Sequence, residues 1–275
     1  MSTPQRQDFI LFNDQSVIPK ELYNVSTTDS DQQHHMFLIT SAMGTQPYWL
    51  INAVVETSVS GSPISLNGSS INRDHSHDNS ITTIASLIHE EKFYHTALQK
   101  LKVNSNKYQI LDMITDFVMK NIDKPRDKIL DMLLDRFPND TQSTIILEQP
   151  ELLLVLLKGL TSDELNQRFI LPLMKRCKLL IIAANIDLFQ NNENEPVDTN
   201  NHDSIEITRF VTSLVYGSLV IMNLRSLDTG RAKDVTGLLM ISKGGQSNSS
   251  NLSVDVVENE YLYLTEKEST RLFYR

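Results

Sequence analysis

Three runs of strand length are almost entirely apolar: MFLIT at 36–40, TIIL at 144–147 and LLIIAA at 179–184. A strand with one wet face alternates polar and apolar residues. A strand without alternation must be covered on both faces, which is the mark of a parallel sheet sandwiched between helices. The segments between these runs supply the helices. Residues 50–55 are apolar and helix-permissive, and 90–101 are amphipathic. In KPRDKILDMLLDRF, Asp123 and Pro125 mark a start, after which Ile129, Met132, Leu133 and Phe137 recur at helical spacing. Pro150 is read as opening a helix straight after the run at 144–147. Thr161 and Glu164 form a capping-box pattern ahead of Leu165, Phe169 and Leu173.

Shorter strands are expected at 8–12, 81–88 and 108–111. Past a helical stretch at 205–214 the period changes, with strand-like runs at 219–224, 238–241, 254–263 and 271–274. Apolar strands alternating with helices, followed by consecutive strands, imply an α/β fold. Its central sheet is mostly parallel, flanked by helices, with an antiparallel C-terminal extension. No composition shift divides residues 1–275, so a single domain is expected. Polar stretches rich in Ser, Asn and acids at about 60–80 and 190–204 read as mobile loops.

Glycine arithmetic narrows the chemistry. The 9 glycines stand at 44, 61, 68, 159, 217, 230, 237, 244 and 245. A phosphate loop needs a pair five apart followed by Lys and Ser or Thr, and no such pair occurs. The dinucleotide fingerprint and the nucleophile elbow fail in the same way. His89-Glu90-Glu91 begins like a zinc-protease helix, but position 93 is Phe. The single cysteine, Cys177, excludes an internal disulfide framework and is read as a buried, inert thiol. The N-terminal residues lack the pattern of a secretory signal, and no apolar run reaches membrane-spanning length, so an intracellular, soluble protein is expected. The net charge of −9 excludes a polyanion binder that uses its whole surface, leaving only a local basic patch.

Residues 41–49, SAMGTQPYW, lie between an apolar strand and a helix, where a mononucleotide-binding unit carries its phosphate loop. Ser41, Gly44, Thr45 and Gln46 offer no cation there, and Pro47 has no N–H to donate. The segment reads as a degenerate loop that binds no nucleotide. Glu148 and Glu151 stand where this layout keeps a magnesium-binding or water-activating acid. Without phosphate-binding partners they read instead as structural, with Pro150 opening the helix and Glu151 complementing its N-terminus. Asp74, His75, His77 and Asp78 cluster in a Ser/Asn-rich stretch that cannot hold ligand geometry, so no metal is assigned. Trp49 reads as core, and Lys124, Arg126 and Lys128 as a solvated helix start. Arg225, Arg231 and Lys233 lie within a Gly-containing connection, RSLDTGRAKDVTG at 225–237, between two strand-like runs.

The blocks QRQDFILFNDQSV, KPRDKIL, IILEQPELLL, TGRAKDVTG and VENEYLYLTEKESTRLFYR, in this order, resemble the subunit-six family of the fungal Elongator complex. The resemblance spans residues 5–275 and is weakest in the two polar stretches. It implies a RecA-like fold and a heterohexameric accessory ring shared with subunits four and five, two copies of each. It also implies a role in tRNA wobble-uridine modification at carbon five, with the uridine chemistry carried by another Elongator subunit. The assembled ring of that family binds tRNA and hydrolyses ATP, and the complex has also been described in transcription elongation. On this resemblance the chain is expected to be a pseudo-ATPase subunit without cofactor or membrane contact, in the cytoplasm and also the nucleus. Arg225, Arg231 and Lys233 then become candidates for a tRNA contact or a subunit interface. The alternative is a divergent ATPase subunit that binds nucleotide at a ring interface.

Overall fold

The computed structural model describes residues 6–23, 34–67, 80–187, 202–227, 230, 232–249, 252–267 and 269–274. Nine strands form one sheet: β1 (His35–Ser41), β2 (Thr82–Ser86), β3 (Tyr108–Asp112), β4 (Thr144–Glu148), β5 (Leu179–Asn185), β6 (Val220–Arg225), β7 (Gly237–Lys243), β8 (Asn259–Thr265) and β9 (Thr270–Tyr274). Their order is β3-β2-β4-β5-β1-β6-β7-β8-β9. The first six in that order run parallel, and β7, β8 and β9 extend the sheet antiparallel. The apolar runs occupy β1, β4 and β5, whose residues are buried except for Asn185 at the end of β5. In β6 and β7, burial alternates instead.

Helices α1 (Tyr48–Ser60), α2 (Ile64–Asn67) and α3 (Glu91–Lys100) serve one face. After α4 (Met119–Asn121), which buries no residue, the other face is covered by α5 (Arg126–Leu134), α6 (Leu152–Leu156), α7 (Ser162–Leu165), α8 (Leu171–Lys175) and α9 (His202–Gly217). The period of two in each strand divides the core accordingly. Phe37, Ile39, Ile181 and Ala183 join Trp49, Leu50, Tyr94 and Leu98 on the first face. Leu38, Leu180 and Ile182 join Leu130, Leu165, Phe169 and Phe210 on the second.

Several expectations need correction. Residues 8–12 form no strand, although Phe9, Leu11 and Phe12 are fully buried. At Phe9 and Ile10 side chains take the hydrogen bonds that a strand neighbour would make, and the Leu11 and Phe12 N–H groups turn back to the Ser16 carbonyl. Asn67 accepts from the Phe9 N–H at 2.8 Å, while the Tyr261 hydroxyl accepts from the Ile10 N–H at 3.2 Å and lies 3.0 Å from the Ile10 carbonyl. The stretch from 60 is not wholly polar loop either, because α2 buries Leu66 and Asn67 there. Residues 68–79 and 190–201 of the two expected loops lie outside the described residues, and residues 202–204 of the second belong to α9 instead. The run at 254–263 becomes a strand only from Asn259, since Val256 instead bridges to Phe12. Pro150 is not helical, and α6 begins at Leu152 with Glu151 as its cap residue.

The Thr161 cap is present. Its hydroxyl accepts from the Glu164 N–H at 3.2 Å, but the Glu164 carboxylate turns to Arg126 at 3.3 Å rather than completing the box. Thr161→Ala is expected to cost about 1 kcal/mol of unfolding free energy in urea denaturation, and Thr161→Ser much less.

Candidate functional site

Parallel strands bring their C-terminal ends to one edge, where the loops that follow can meet. The register places Ser86 beside Glu148, Glu148 beside Ala183, and Ser41 between Asn185 and Leu224. Arg225 ends β6 one residue further on, along the same edge. The β8–β9 turn reaches this edge too, because Gly237, opening β7, pairs with Tyr263.

At this edge Glu148 is 1 % exposed and holds a polar cluster together. The Ser86 hydroxyl donates to Glu148 Oε2 at 2.5 Å and accepts from the N–H groups of Ile88 and His89 at 3.1 and 2.8 Å. His89 Nδ1 lies 3.0 Å from Glu148 Oε2 and 3.1 Å from Oε1. A carboxylate facing one ring nitrogen fixes the imidazole's orientation and leaves Nε2 as its other polar atom. Tyr94 packs edge-on against His89 at 5.8 Å, and its hydroxyl is pushed well above the usual range by burial and then by Glu148.

Glu151 follows a left-handed turn at Gln149, whose φ is 53°. Its Oε1 accepts from the Asn185 N–H at 2.7 Å, and Oε2 has no partner among the described residues. Burial, reinforced by the charge of Glu148, raises its carboxyl to about 8. Glu151 therefore does not complement a helix end at the surface; it is a buried acid tying β4 to β5. Cys177 is fully buried and its thiol is pushed to about 12, so it is no nucleophile.

In the connection from β1 to α1, Gly44 turns with φ 86°. Thr45 closes the turn on the Ala42 carbonyl through both its N–H at 3.0 Å and its hydroxyl at 2.6 Å. The Met43 N–H donates to the Asp187 carboxylate. An acid thus occupies an amide that an anion would need. Pro47 precedes α1 without a side-chain cap.

Beside this loop, α1, α2, α3 and the β8–β9 turn enclose a groove of about 810 Å3. Phe93, 38 % exposed, stacks on His89 at 3.9 Å and 10°, and Tyr48 meets Phe93 edge-on at 6.0 Å. Trp49 and Asn52 line the floor one helical turn apart. Trp49 Nε1 and Asn52 Oδ1 are buried and lack a hydrogen-bond partner among the described residues. Lys92, Lys100 and Lys267 contribute to the lining, interleaved with Glu90 and Glu266.

Of the residues singled out in sequence, Ser41, Gly44, Thr45 and Gln46 stand at the expected strand-to-helix turn, and Trp49 is core, as expected. Arg225, at the end of β6, and Lys233, in the β6–β7 connection, are exposed, and Gly230 in that connection turns with φ 82°. Arg231, Asp74, His75, His77 and Asp78 lie outside the described residues. Ser86, His89 and Phe93 carry the geometry, although sequence reasoning does not assign them a site. The one signal there is the His89-Glu90-Glu91 string, which lacks the second histidine of a zinc-protease helix.

The chain is 48 % identical over 282 aligned positions to Elongator complex protein 6 of Saccharomyces cerevisiae, a match covering 100 % of both chains. No protein-family model matches it. Among solved structures it resembles the flagellar accessory protein FlaH of Methanocaldococcus jannaschii, with a TM-score of 0.50 and 11 % identity. That likeness covers 92 % of this chain and 98 % of the other, and it is one of fold, a RecA-like sheet. No helix among the described residues is long and apolar enough to cross a membrane.

Proposed function

This chain belongs to the Elongator complex protein 6 family, and from that premise we propose that it is a non-catalytic RecA-like subunit of a heterohexameric accessory ring. In this reading it assembles with Elongator subunits four and five in the cytoplasm and nucleus. There it supports wobble-uridine modification of tRNA at carbon five by scaffolding the complex and helping to bind and release tRNA. The full-length match to the yeast protein carries this reading. Two features of the β1–α1 connection support the non-catalytic part. The segment 41–49 has no Lys or Arg to meet β- and γ-phosphates, and Asp187 holds the Met43 amide. A carboxylate at the loop repels a nucleotide polyphosphate rather than receiving it. The divergent-ATPase alternative is correspondingly weakened.

On an acidic chain, tRNA contact needs a focused patch, and the candidates are Arg225 and Lys233, exposed at and after the end of β6, together with Arg231 between them in sequence. Phosphate contacts release counterions, so removing them weakens binding alike across tRNA sequences. In a reconstituted ring, replacing Arg231 and Lys233 with Ala is expected to flatten the log–log salt dependence by about one unit per phosphate no longer neutralised. The purified chain alone is expected to show neither ATP binding by calorimetry nor turnover. A mutant ring that assembles normally and keeps the wild-type affinity and salt slope would remove the patch from the tRNA site. A ring that falls apart would make the same residues a subunit interface. Saturable ATP hydrolysis by the single chain would reverse the non-catalytic assignment.

A further inference from the structure

We propose that the groove between α1, α3 and the β8–β9 turn receives an unpaired base of RNA, with its phosphodiester on the lysines of the rim. The inference rests on the tRNA reading above and deepens it by naming where a base, rather than the backbone, is held.

Volume, shape and chemistry agree on this occupant. At about 810 Å3 the groove falls within the roughly 300–1,000 Å3 of small-ligand pockets. Its wall is a stacking surface: Phe93 lies flat on His89, and the buried Glu148 fixes that imidazole in place. Single-stranded nucleic acid is held by such faces because every base has a π-surface to offer.

The charge pattern separates an RNA base from a free nucleotide polyphosphate. Lys92, Lys100 and Lys267 are interleaved with Glu90 and Glu266, which leaves a small positive excess suited to one phosphodiester. The neighbouring β1–α1 loop adds no cation, and Asp187 bonds to its Met43 amide. The groove also opens on the sheet edge that carries Arg225. There the Thr265 N–H, at the groove, bonds Thr236 of the β6–β7 connection at 2.9 Å. Phosphate contacts at Arg225 or Lys233 and a base in the groove can therefore belong to one strand of RNA.

Trp49 is the only tryptophan of the chain, so its emission reports on this groove. The full chain is titrated with a single-stranded hexauridylate and separately with 5′-UMP, following Trp49 fluorescence. Hexauridylate is expected to change the emission saturably, and 5′-UMP to bind at least tenfold more weakly. Phe93→Ala is expected to weaken hexauridylate binding about tenfold and Phe93→Tyr to restore it, since a stacking face is what matters. Lys92→Ala with Lys100→Ala is expected to flatten the salt slope by about 0.7 for each phosphate no longer neutralised. Circular dichroism and urea midpoints for each variant guard against misfolding. The proposal is overturned if Phe93→Ala binds as the wild type does, or if 5′-UMP binds as tightly as hexauridylate. It also falls if Phe93→Ala blocks ring assembly without changing RNA binding, which would make the groove a protein interface. Rings that bind tRNA through 225–237 while ignoring Phe93→Ala would sink this inference alone. Wild-type rings that bind no RNA would sink the functional reading with it.

Discussion

Glu148→Ala is expected to lower the unfolding free energy by about 3 kcal/mol, roughly a hundredfold or more in the folded-to-unfolded ratio. The side chain is 1 % exposed and receives the Ser86 hydroxyl at 2.5 Å and His89 Nδ1 at 3.0 Å. Its removal strands the buried Ser86 hydroxyl and releases the His89 ring. Because the His89 side chain is 30 % exposed, water takes over part of its hydrogen bonding, so the cost stays at the low end for a broken buried pair. Glu148→Gln keeps the shape and one good acceptor and is expected to cost only about 1 kcal/mol. Urea denaturation of both variants, with unchanged slope, checks the values. A Glu148→Ala protein within about 0.5 kcal/mol of wild type would show that the cluster contributes little to stability. The same variant loosens the imidazole behind Phe93, so hexauridylate affinity should fall with it.

The α/β class was legible because β1, β4 and β5 are nearly continuous apolar runs, and only burial on both faces explains such runs. The antiparallel extension was legible from the change of period after α9. What the sequence could not display is adjacency. β2 lies beside β4 in the sheet, yet Ser86 and Glu148 stand 62 residues apart, so their pairing appears only with the strand order. The groove hides for the same reason, since its walls come from α1, α3 and a turn near the C-terminus. Phe93 reads in sequence as one apolar position of an amphipathic helix, with nothing to mark it as half exposed. The strand expected at 8–12 failed on a different point. Phe9, Leu11 and Phe12 are as buried as strand residues, but the backbone of Phe9 and Ile10 pairs with the Asn67 and Tyr261 side chains, which leaves only an isolated bridge at Phe12. Pattern reports burial well, and it reports poorly which hydrogen-bond partner wins.

Glu151→Gln is expected to make the protein increasingly more stable than the wild type as pH rises above about 4.5, and to change little only below that. Unfolded, the Glu151 carboxyl titrates near its ordinary 4.5; in the folded chain, burial holds it protonated up to about 8. Below the lower value both states carry the proton. Between the two values the unfolded chain has released its proton and the folded chain has not, so stability falls as pH rises. The stabilisation is complete below about 4.5 and gone by about 8, a difference on the order of a few kcal/mol. Gln cannot ionise, and its carbonyl can keep the bond from the Asn185 N–H. His35 runs the other way: burial, then Lys178, depress it from 6.5 to about 4, so its contribution is full above 6.5 and lost as pH falls towards 4. Comparison between pH 6.5 and 8.5 therefore separates Glu151 from His35. Thermal unfolding across that window should fall steeply for the wild type and stay nearly level for Glu151→Gln, the gap widening by about 2 kcal/mol from its acidic to its alkaline end. Parallel curves would mean that Glu151 is ionised in the folded protein. Its unpartnered Oε2 would then have to be met by a cation or a donor from beyond the described residues, and the acid would belong to a binding site rather than to the brace between β4 and β5.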